Sequence, residues 1–238
     1  DKTSEILKKY EKKIRIFNLL ENKGVGYCRN LAIKNASNNI VASLDADVIP
    51  DKKWLINIYT SMVLYKSHLC GGLLIEKFIK KNRYNYWRSV HIAHSFKEKN
   101  IPDLKSFING SNMIVDKKAW LKVEGFEERY KTNGEDVHFC SKLRLNNFKI
   151  SYDSRAYCYH LQNDDLKSLL NRCWRYYIYG TGLKKPTIKR LILRTIKHFR
   201  YCIINSAKDL INLRLSIIDI NFIVFFNYTI MEYKSCKK

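Results

Sequence analysis

The chain has 238 residues, of which 46% are hydrophobic and 13% aromatic. This composition excludes a disordered protein and allows one substantial core. Lys and Arg number 44 against 22 Asp and Glu, a formal net charge of +22, so we expect an anionic partner such as nucleic acid, a membrane surface or a phosphate-bearing substrate. A generally Lys- and Asn-rich composition explains part of this excess, but not its concentration between residues 166 and 214.

Strand-like and helical segments alternate through the first part of the chain. The pattern predicts a helix, a strand, a helix, a strand, a helix and a strand at residues 4–13, 14–20, 24–37, 39–45, 52–63 and 70–76. Asp51 is the predicted N-cap of the helix at 52–63. Such alternation is typical of an α/β fold, with an open, mostly parallel sheet flanked by helices. Ligands then bind beyond the carboxyl ends of the strands.

Two acids, Asp45 and Asp47, stand at the end of the apolar run 40–44. Side chains two positions apart share one face of a strand, so the two carboxylates repel each other unless a cation lies between them or one is protonated. Mg²⁺ and Mn²⁺ favour sites with few carboxylates that substrate phosphates complete. The alternative is a solvated turn before Pro50, and an Asp-x-Asp pair alone does not decide between the two.

Ordered motifs over residues 1–180 resemble those of the family 2 glycosyltransferases, which have the GT-A fold. The matching segments are NKGVGYCRNLAIKNA, IVASLDADVIPDKKWL, FINGSNMIVDKKAWLKVEGFEE and NGEDVHFCSKLRLNNFKISYDSRAYCYH. The resemblance implies a GT-A-like domain at residues 1–183, followed by a helical, basic tail at 184–238. It also implies transfer of a sugar from a nucleotide diphosphate donor to a hydroxyl of a glycan or lipid-linked acceptor, usually with inversion, using Mg²⁺ or Mn²⁺.

The resemblance also implies roles for individual residues. Asp47 is the expected metal ligand, Asp45 faces the ribose or the metal, and His160 is a further ligand. Asp136 is the expected general base, and Glu135 supports its geometry. The expected donor-binding residues are Arg29, Asn30, Asp45, Asn109, Gly110 and Asn112. Each has a structural alternative: a solvated helix residue for Arg29, an ordinary turn at 109–112, a helix cap at 135–136 and a structural histidine at 160.

The sequence departs from the family pattern at two places. Family members begin with an apolar strand and an acidic loop that contacts the base, and neither matches this sequence, so we expect this chain alone to bind nucleotide poorly. The segment NRCWRYYIYGTG resembles the family helix that follows the histidine, but only loosely matches the Gln-x-x-Arg-Trp of processive members. Arg172, Trp174 and Arg175 either contact phosphate or acceptor, or belong to a packed amphipathic helix.

The C-terminal region has the pattern of a basic interfacial helix. Arg190, Arg194 and Lys197 lie off an apolar helical stripe formed by Ile188, Leu191, Ile192, Ile196, Phe199 and Ile203. The alternative is a helix packed on the catalytic domain. Residues 215–231 predict a buried or interfacial helix, with a membrane span as the lesser alternative. With seven Cys and no Cys-x-x-Cys pair, we expect reduced thiols and a cytoplasmic location. The basic amphipathic helix leads us to expect contact with an anionic inner membrane leaflet.

Two other functions remain open from the residues. Paired Asp residues and a high positive charge would also serve a nucleic-acid-binding protein or a metal nuclease. However, the basic excess follows the amphipathic tail, and no helix-turn-helix, zinc or RNP-like signature is present, so nucleic acid is not the expected partner. A non-catalytic glycosyltransferase remnant is the remaining alternative.

Overall fold

The computed structural model describes residues 2–92, 99–180 and 187–237. The helices α1 to α9 span Thr3–Lys8, Val25–Asn35, Trp54–Leu64, Arg83–His91, Lys117–Lys122, Glu135–Leu145, Leu166–Gly180, Ile188–Ile211 and Ile218–Lys237. The strands β1 to β5 span Ile40–Leu44, Val48–Pro50, Leu69–Phe78, Asn112–Asp116 and Ile150–Gln162. A 3₁₀ turn at Leu215–Ile217 precedes α9.

The strands form one mixed sheet with the order β1-β4-β3-β5-β2. The α/β class is confirmed, but the expectation of mostly parallel pairing is wrong. Among the described strands, only β3 and β5 pair in parallel, whereas β1 with β4, β3 with β4 and β2 with β5 are antiparallel. After a long connection, β4 lies between β1 and β3 and runs in the opposite direction to both. The short β2, which follows β1 after a turn, pairs with β5 in the opposite direction.

The strand predicted at residues 14–20 is not formed. Ile14, Phe17 and Leu20 are exposed, and no described strand pairs with this segment. Apolar β-type composition is not sufficient here, because a strand needs a neighbour to satisfy its backbone groups. The other predicted strands and helices of this region are present with shifted ends; α1, for example, ends at Lys8 rather than residue 13.

Asp51 does not occupy the N-cap position of α3, which belongs to Lys53. Its Oδ1 nevertheless accepts a hydrogen bond of 2.9 Å from the backbone N–H of Lys53, and its Oδ2 accepts one of 2.7 Å from the Tyr157 hydroxyl. Asp51 therefore holds the turn before α3 against β5.

Apolar side chains cover both faces of the sheet. One cluster joins the sheet to α2, α5 and α6, with Ile33, Trp120 and Phe139 among its buried members. A second cluster packs α3 on the opposite face through Trp54, Ile58 and Met62. The two layers bury the strands on both sides and so fix the ends of β1, β4 and β5 relative to one another.

The last helix, α9, shares a third core with α4 and α7. Trp87 of α4 and Leu169 and Cys173 of α7 pack against Ile220 and Val224 of α9. The predicted boundary between residues 183 and 184 lies outside the described residues. Within the described residues, the tail is joined to α4 and α7 by this common core.

Gly72 allows β3, β4 and β5 to approach closely. A Cβ on Gly72 would lie 1.8 Å from the Ala156 carbonyl oxygen and 2.8 Å from Nδ2 of Asn112. The pairing of β3 with β5 also shifts register between Gly72 and Leu74. Gly72 therefore sets the separation of these strands where β4 begins.

We expect Gly72→Ala to lower the free energy of unfolding by about 1–3 kcal/mol, because backbone of β5 must move to admit the methyl group. Urea titration followed by circular dichroism measures this loss. Leu145→Ala is the control, since Leu145 is 80% exposed and its truncation should change stability by less than about 0.5 kcal/mol. Equal stability of Gly72→Ala and the unmodified protein would contradict the close approach.

Candidate active site

Most of the predicted site residues line one cavity beyond the end of β1. The cavity has a volume of about 600 Å³, within the range of roughly 300–1,000 Å³ that is usual for small-molecule sites. Its walls include the following predicted residues: Arg29, Asp45, Asp47, Asn109, Glu135, Asp136 and His160. Residues that are distant in the sequence therefore converge as the resemblance implied.

Arg29 connects the two acidic parts of the cavity. It lies on α2, and its side chain is only 8% exposed. One terminal nitrogen donates to Asp45 Oδ1 at 2.8 Å, and the other donates to Glu135 Oε1. Burial by itself lowers the pKa of Arg29, but the charges of Asp45, Glu135 and Asp136 outweigh that effect and raise it. Arg29 thus remains a cation between carboxylates and fixes the start of α6 against the end of β1.

Gly110 makes room for this arginine. A Cβ at Gly110 would lie 2.4 Å from a terminal nitrogen of Arg29, so a side chain there would displace the guanidinium. The backbone N–H of Gly110 donates to Asp136 Oδ2 at 3.2 Å. Gly110 is therefore a packing and positioning residue behind the cavity rather than one of its lining residues.

Asp136 opens α6 with its carboxylate at the cavity wall. Besides the bond from Gly110, its Oδ1 accepts a hydrogen bond of 2.8 Å from the N–H of Val137. Burial raises the pKa of Asp136, against the opposing charge of Arg29. Burial and the nearby Asp136 charge also raise the pKa of Glu135. A carboxylate whose pKa is raised in this way binds a proton more readily than a free carboxylate.

Asp47 and His160 meet through the pairing of β2 with β5. Val48 is opposite His160 in the ladder, which brings His160 Nε2 to 3.4 Å from Asp47 Oδ2. His160 Nδ1 lies 3.2 Å from Glu76 Oε2 on β3. The bond to His160 lowers the pKa of Asp47. Although burial opposes it, contact with Asp47 and Glu76 raises the pKa of His160 to about 9.

These side chains fit a divalent cation that a substrate completes. No cluster of three or more His, Cys, Asp or Glu side chains forms a metal cage within residues 2–92, 99–180 and 187–237. Asp47 and His160 nevertheless place a carboxylate oxygen and a ring nitrogen side by side, and Asp45 lines the same cavity. The ring nitrogen becomes a metal donor when a cation displaces its proton. Mg²⁺ binds commonly through one or two carboxylates together with phosphates and waters. This sparse donor set therefore fits a metal–diphosphate complex better than a metal bound by protein alone.

Two predicted donor-binding residues are used by the fold instead. Asn112 is fully buried; its Nδ2 donates to Leu73 O at 3.0 Å, and its Oδ1 accepts from Trp54 Nε1 at 2.7 Å. Asn30 donates to the carbonyl of Phe126 at 2.8 Å and accepts from its N–H, also at 2.8 Å. Neither residue is part of the cavity wall. Asn109 does line the cavity, while its Oδ1 accepts from the Ser111 hydroxyl at 2.7 Å.

The structure adds residues that the sequence did not single out. Glu76 is one of them: it pairs in register with His160 across the parallel strands β3 and β5. The only signal in the sequence was an acid near the end of an apolar strand. Tyr176 of α7 is another, and it lines the cavity beside Arg172 and Arg175, both of them candidates from the sequence; Trp174, a candidate with them, is not part of the wall. Arg172 pairs with Asp164 at 3.3 Å, whereas Nε of Arg175 is buried without a hydrogen-bond partner among the described residues.

The fold is shared with solved structures of proteins in complex with nucleotide sugars. S. aureus TarS 1-349 in complex with UDP-GlcNAc has a TM-score of 0.52 and 20% identity, covering 74% of this chain and 54% of that one. The mannosyltransferase PcManGT from Pyrobaculum calidifontis, in complex with GDP-Man and Mn²⁺, has a TM-score of 0.53 and 14% identity, covering 74% and 48%. At such identities the likeness establishes the GT-A fold.

Residues 1–153 match the family described as Glycosyl transferase family 2. The chain belongs to this family, and the resemblance seen in the sequence is confirmed. A pre-mycofactocin glycosyltransferase of Mycobacterium tuberculosis is 22% identical over 163 residues, which cover 67% of this chain and 34% of that protein. The matched region is thus about a third of the length of that curated relative.

We expect Asp136→Asn to raise the melting temperature relative to the unmodified protein as pH rises above about 4, the usual carboxyl pKa. Because folding raises the pKa of this group, its protonation stabilises the fold fully below the unfolded pKa, and that stability is lost as pH rises through the folded value. Asparagine carries no charge and avoids the loss. Thermal unfolding between pH 3 and 8 measures the difference.

The matched control for this titration is Asp103→Asn, because Asp103 is exposed and lies outside the cavity. Its melting temperature should follow that of the unmodified protein over the whole pH range. An Asp136→Asn variant that is less stable than the unmodified protein at neutral pH would show that the fold favours the charged carboxylate.

Proposed function

We propose that this chain transfers a sugar from a nucleotide diphosphate donor to an acceptor hydroxyl, with inversion, in a metal-dependent reaction. The observation that carries the proposal is the convergence of Asp47 and His160 with Asp136 in one cavity of about 600 Å³. A cation-binding pair and a carboxylate with raised proton affinity are the two chemical components that such a transfer needs.

Asp136 acts as the general base. It removes the proton from the acceptor hydroxyl as that oxygen attacks the anomeric carbon, and the bond from that carbon to the diphosphate breaks. The N–H groups of Gly110 and Val137 hold its two oxygens, which fixes the direction of the carboxylate. Glu135, held by Arg29, anchors the first turn of α6 and keeps Asp136 in place.

Asp47 and His160 would hold a divalent cation, Mg²⁺ or Mn²⁺, with Asp45 directed to the same diphosphate region. Such a cation would supply positive charge at the diphosphate that leaves. Glu76 orients the His160 ring through the opposite nitrogen, the arrangement by which a carboxylate commonly fixes a metal-binding histidine. Arg175, whose buried Nε has no hydrogen-bond partner in the described part of the chain, supplies a further positive charge to phosphate at the α7 side of the cavity.

Asp136→Asn should lower kcat by about 10²- to 10⁴-fold, the usual contribution of a general base, while donor binding is retained. The assay supplies UDP-GlcNAc, UDP-glucose or GDP-mannose with Mn²⁺ and a panel of glycan and glycolipid acceptors, and measures nucleotide diphosphate release. Asp103→Asn is the matched control and should retain full activity. Equal activity of Asp136→Asn and the unmodified protein would remove the proposed base.

We further propose that the C-terminal helices rest on an anionic membrane surface. The predicted apolar stripe is exposed: Ile188, Ile192, Ile196, Phe199 and Ile203 of α8 are between 46% and 77% exposed. The interior side of α8 instead carries His198, Cys202 and Asp209. An apolar outer stripe flanked by basic residues is the pattern of a helix at a lipid–water interface.

Helix α9 extends the same apolar surface. Phe222, Phe226 and Ile230 are exposed, and the ring of Phe225 lies 5.5 Å from Phe199 and 5.2 Å from Phe226. Residues Leu215–Cys236 are long and apolar enough to cross a membrane, with a mean hydropathy of 1.3. We favour an interfacial position, because buried Asn221 and Glu232 direct one side of α9 toward protein.

Arg194 has a different environment from the exposed basic residues of α8. It pairs with the buried carboxylate of Glu232 at 3.2 Å, so it holds α8 to α9 rather than facing a membrane as predicted. Arg190 and Arg200 are exposed and remain available to anionic lipid.

Ile192→Glu combined with Ile196→Glu should weaken binding to vesicles containing anionic lipid by at least about tenfold, because two apolar side chains no longer enter the interface. Co-sedimentation measures the bound fraction. Leu145→Glu, which alters an exposed leucine at the end of α6, is the matched control. Arg190→Gln with Arg200→Gln should weaken binding to anionic but not neutral vesicles. Binding that none of these changes affects would exclude this docking surface.

A further inference from the structure

A second cavity lies among the helices α4, α7, α8 and α9 and is separate from the ligands and base of the proposed reaction. Its volume is about 490 Å³. Aromatic rings form much of its wall: Trp87, Tyr176, Tyr177, Tyr201, Phe225 and Tyr228. Such a wall favours an apolar ligand with few polar groups.

The polar groups at its wall are largely engaged with one another. His91 Nε2 lies 2.9 Å from Asp209 Oδ2. Asn221 accepts a hydrogen bond of 2.7 Å from Trp87 Nε1 and donates to Asp209 at 2.9 Å. A sugar, which needs partners for many hydroxyl groups, would find few of them here.

His198 is one exception. His198 is only 8% exposed, and its ring stacks on that of Tyr228 with 4.6 Å between the ring centres. Its Nε2 is buried without a hydrogen-bond partner among the described residues. A buried polar atom without a partner costs free energy. A ligand with one hydrogen-bonding group next to its apolar chain would satisfy this nitrogen.

The cavity adjoins the two surfaces that the proposed function uses. Ile92 and Tyr176 line both this cavity and the candidate active site. On the other side, Phe225 lines the cavity and also contacts Phe199 of the exposed apolar stripe. The cavity therefore lies between the membrane-facing helices and the residues that receive the acceptor hydroxyl.

We propose that this helical cavity binds the apolar chain of an amphiphilic acceptor, an acyl or prenyl glycolipid, and that His198 contacts the first polar group after that chain. The inference rests on the proposed function and names its acceptor class. The sugar-bearing end of the acceptor passes Tyr176 and Ile92 toward Asp136. Lys197, whose ammonium lies 5.8 Å from the centre of the Tyr201 ring, stands at the same wall and suits an acceptor that carries a phosphate.

The test uses octyl glucoside with a photoreactive diazirine on its alkyl chain, below its micelle-forming concentration and without vesicles. After illumination of the full chain, mass spectrometry of peptides locates the labels. We expect labels at Tyr177, Tyr201 or Tyr228 and competition by unlabelled octyl glucoside but not by methyl glucoside. Labels confined to the exposed stripe, or equal competition by methyl glucoside, would overturn the proposal.

Asn205→Trp narrows the cavity from α8, where Asn205 lines its wall. Labelling inside should fall by at least about tenfold, the loss expected if about two methylene groups are displaced. Ala207→Trp on the same helix is the matched control, because Ala207 is exposed and not part of the wall. Undiminished labelling of a folded Asn205→Trp variant would contradict the assignment. If that variant does not fold, the competition experiment on the unmodified protein decides alone.

Labelling is independent of catalysis, so the two proposals fail separately. Asp136→Asn should be labelled like the unmodified protein. Cavity labelling without sugar transfer would refute the proposed function only, and transfer to a glycolipid without cavity labelling would refute the helical cavity only.

Discussion

The arrangement of the candidate active site depends on one buried cation. Arg29 lies between Asp45, which follows β1, and Glu135, which begins α6. These carboxylates come from opposite sides of the cavity and would repel each other without it. Removing one partner of a buried charge pair generally costs several kcal/mol, because the remaining charge has no compensation. The same ion pairs that stabilise this region therefore also determine the distance between the end of β1 and the start of α6 across the cavity.

Only some of the predicted site residues reach the cavity, and others are used by the fold. Asp45, Asp47, Asp136 and His160 stand in ordered motifs, and all of them line the cavity. Asn30 and Asn112 stand in equally clear motifs, yet their amides bind the backbone of neighbouring loops and strands. A motif gives the position of a residue in the chain, but the direction of its side chain depends on partners that are distant in sequence.

The fold, like the site, was predicted in part: elements with their own apolar pattern were found, and features that depend on distant partners were missed. Local periodicity was enough to predict β1, β3 and most of the helices of the first half, because each carries its own apolar pattern. The reversed direction of β4 depends on the long connection before it, and the absence of a strand at residues 14–20 depends on the lack of a described neighbour. Glu76 was missed for the same reason, since its contact with His160 exists only once β3 and β5 pair.

The last two helices have an unusual distribution of polarity, with the Arg194–Glu232 pair between them and isoleucines outside. Charged contacts in the interior hold the helices together whether water or lipid surrounds them, so their association does not rely on hiding the apolar stripe. The proposed membrane docking would therefore need no refolding of this hairpin. A protein that docks in this way would be amphitropic: it would exchange between solution and lipid according to the composition of the leaflet.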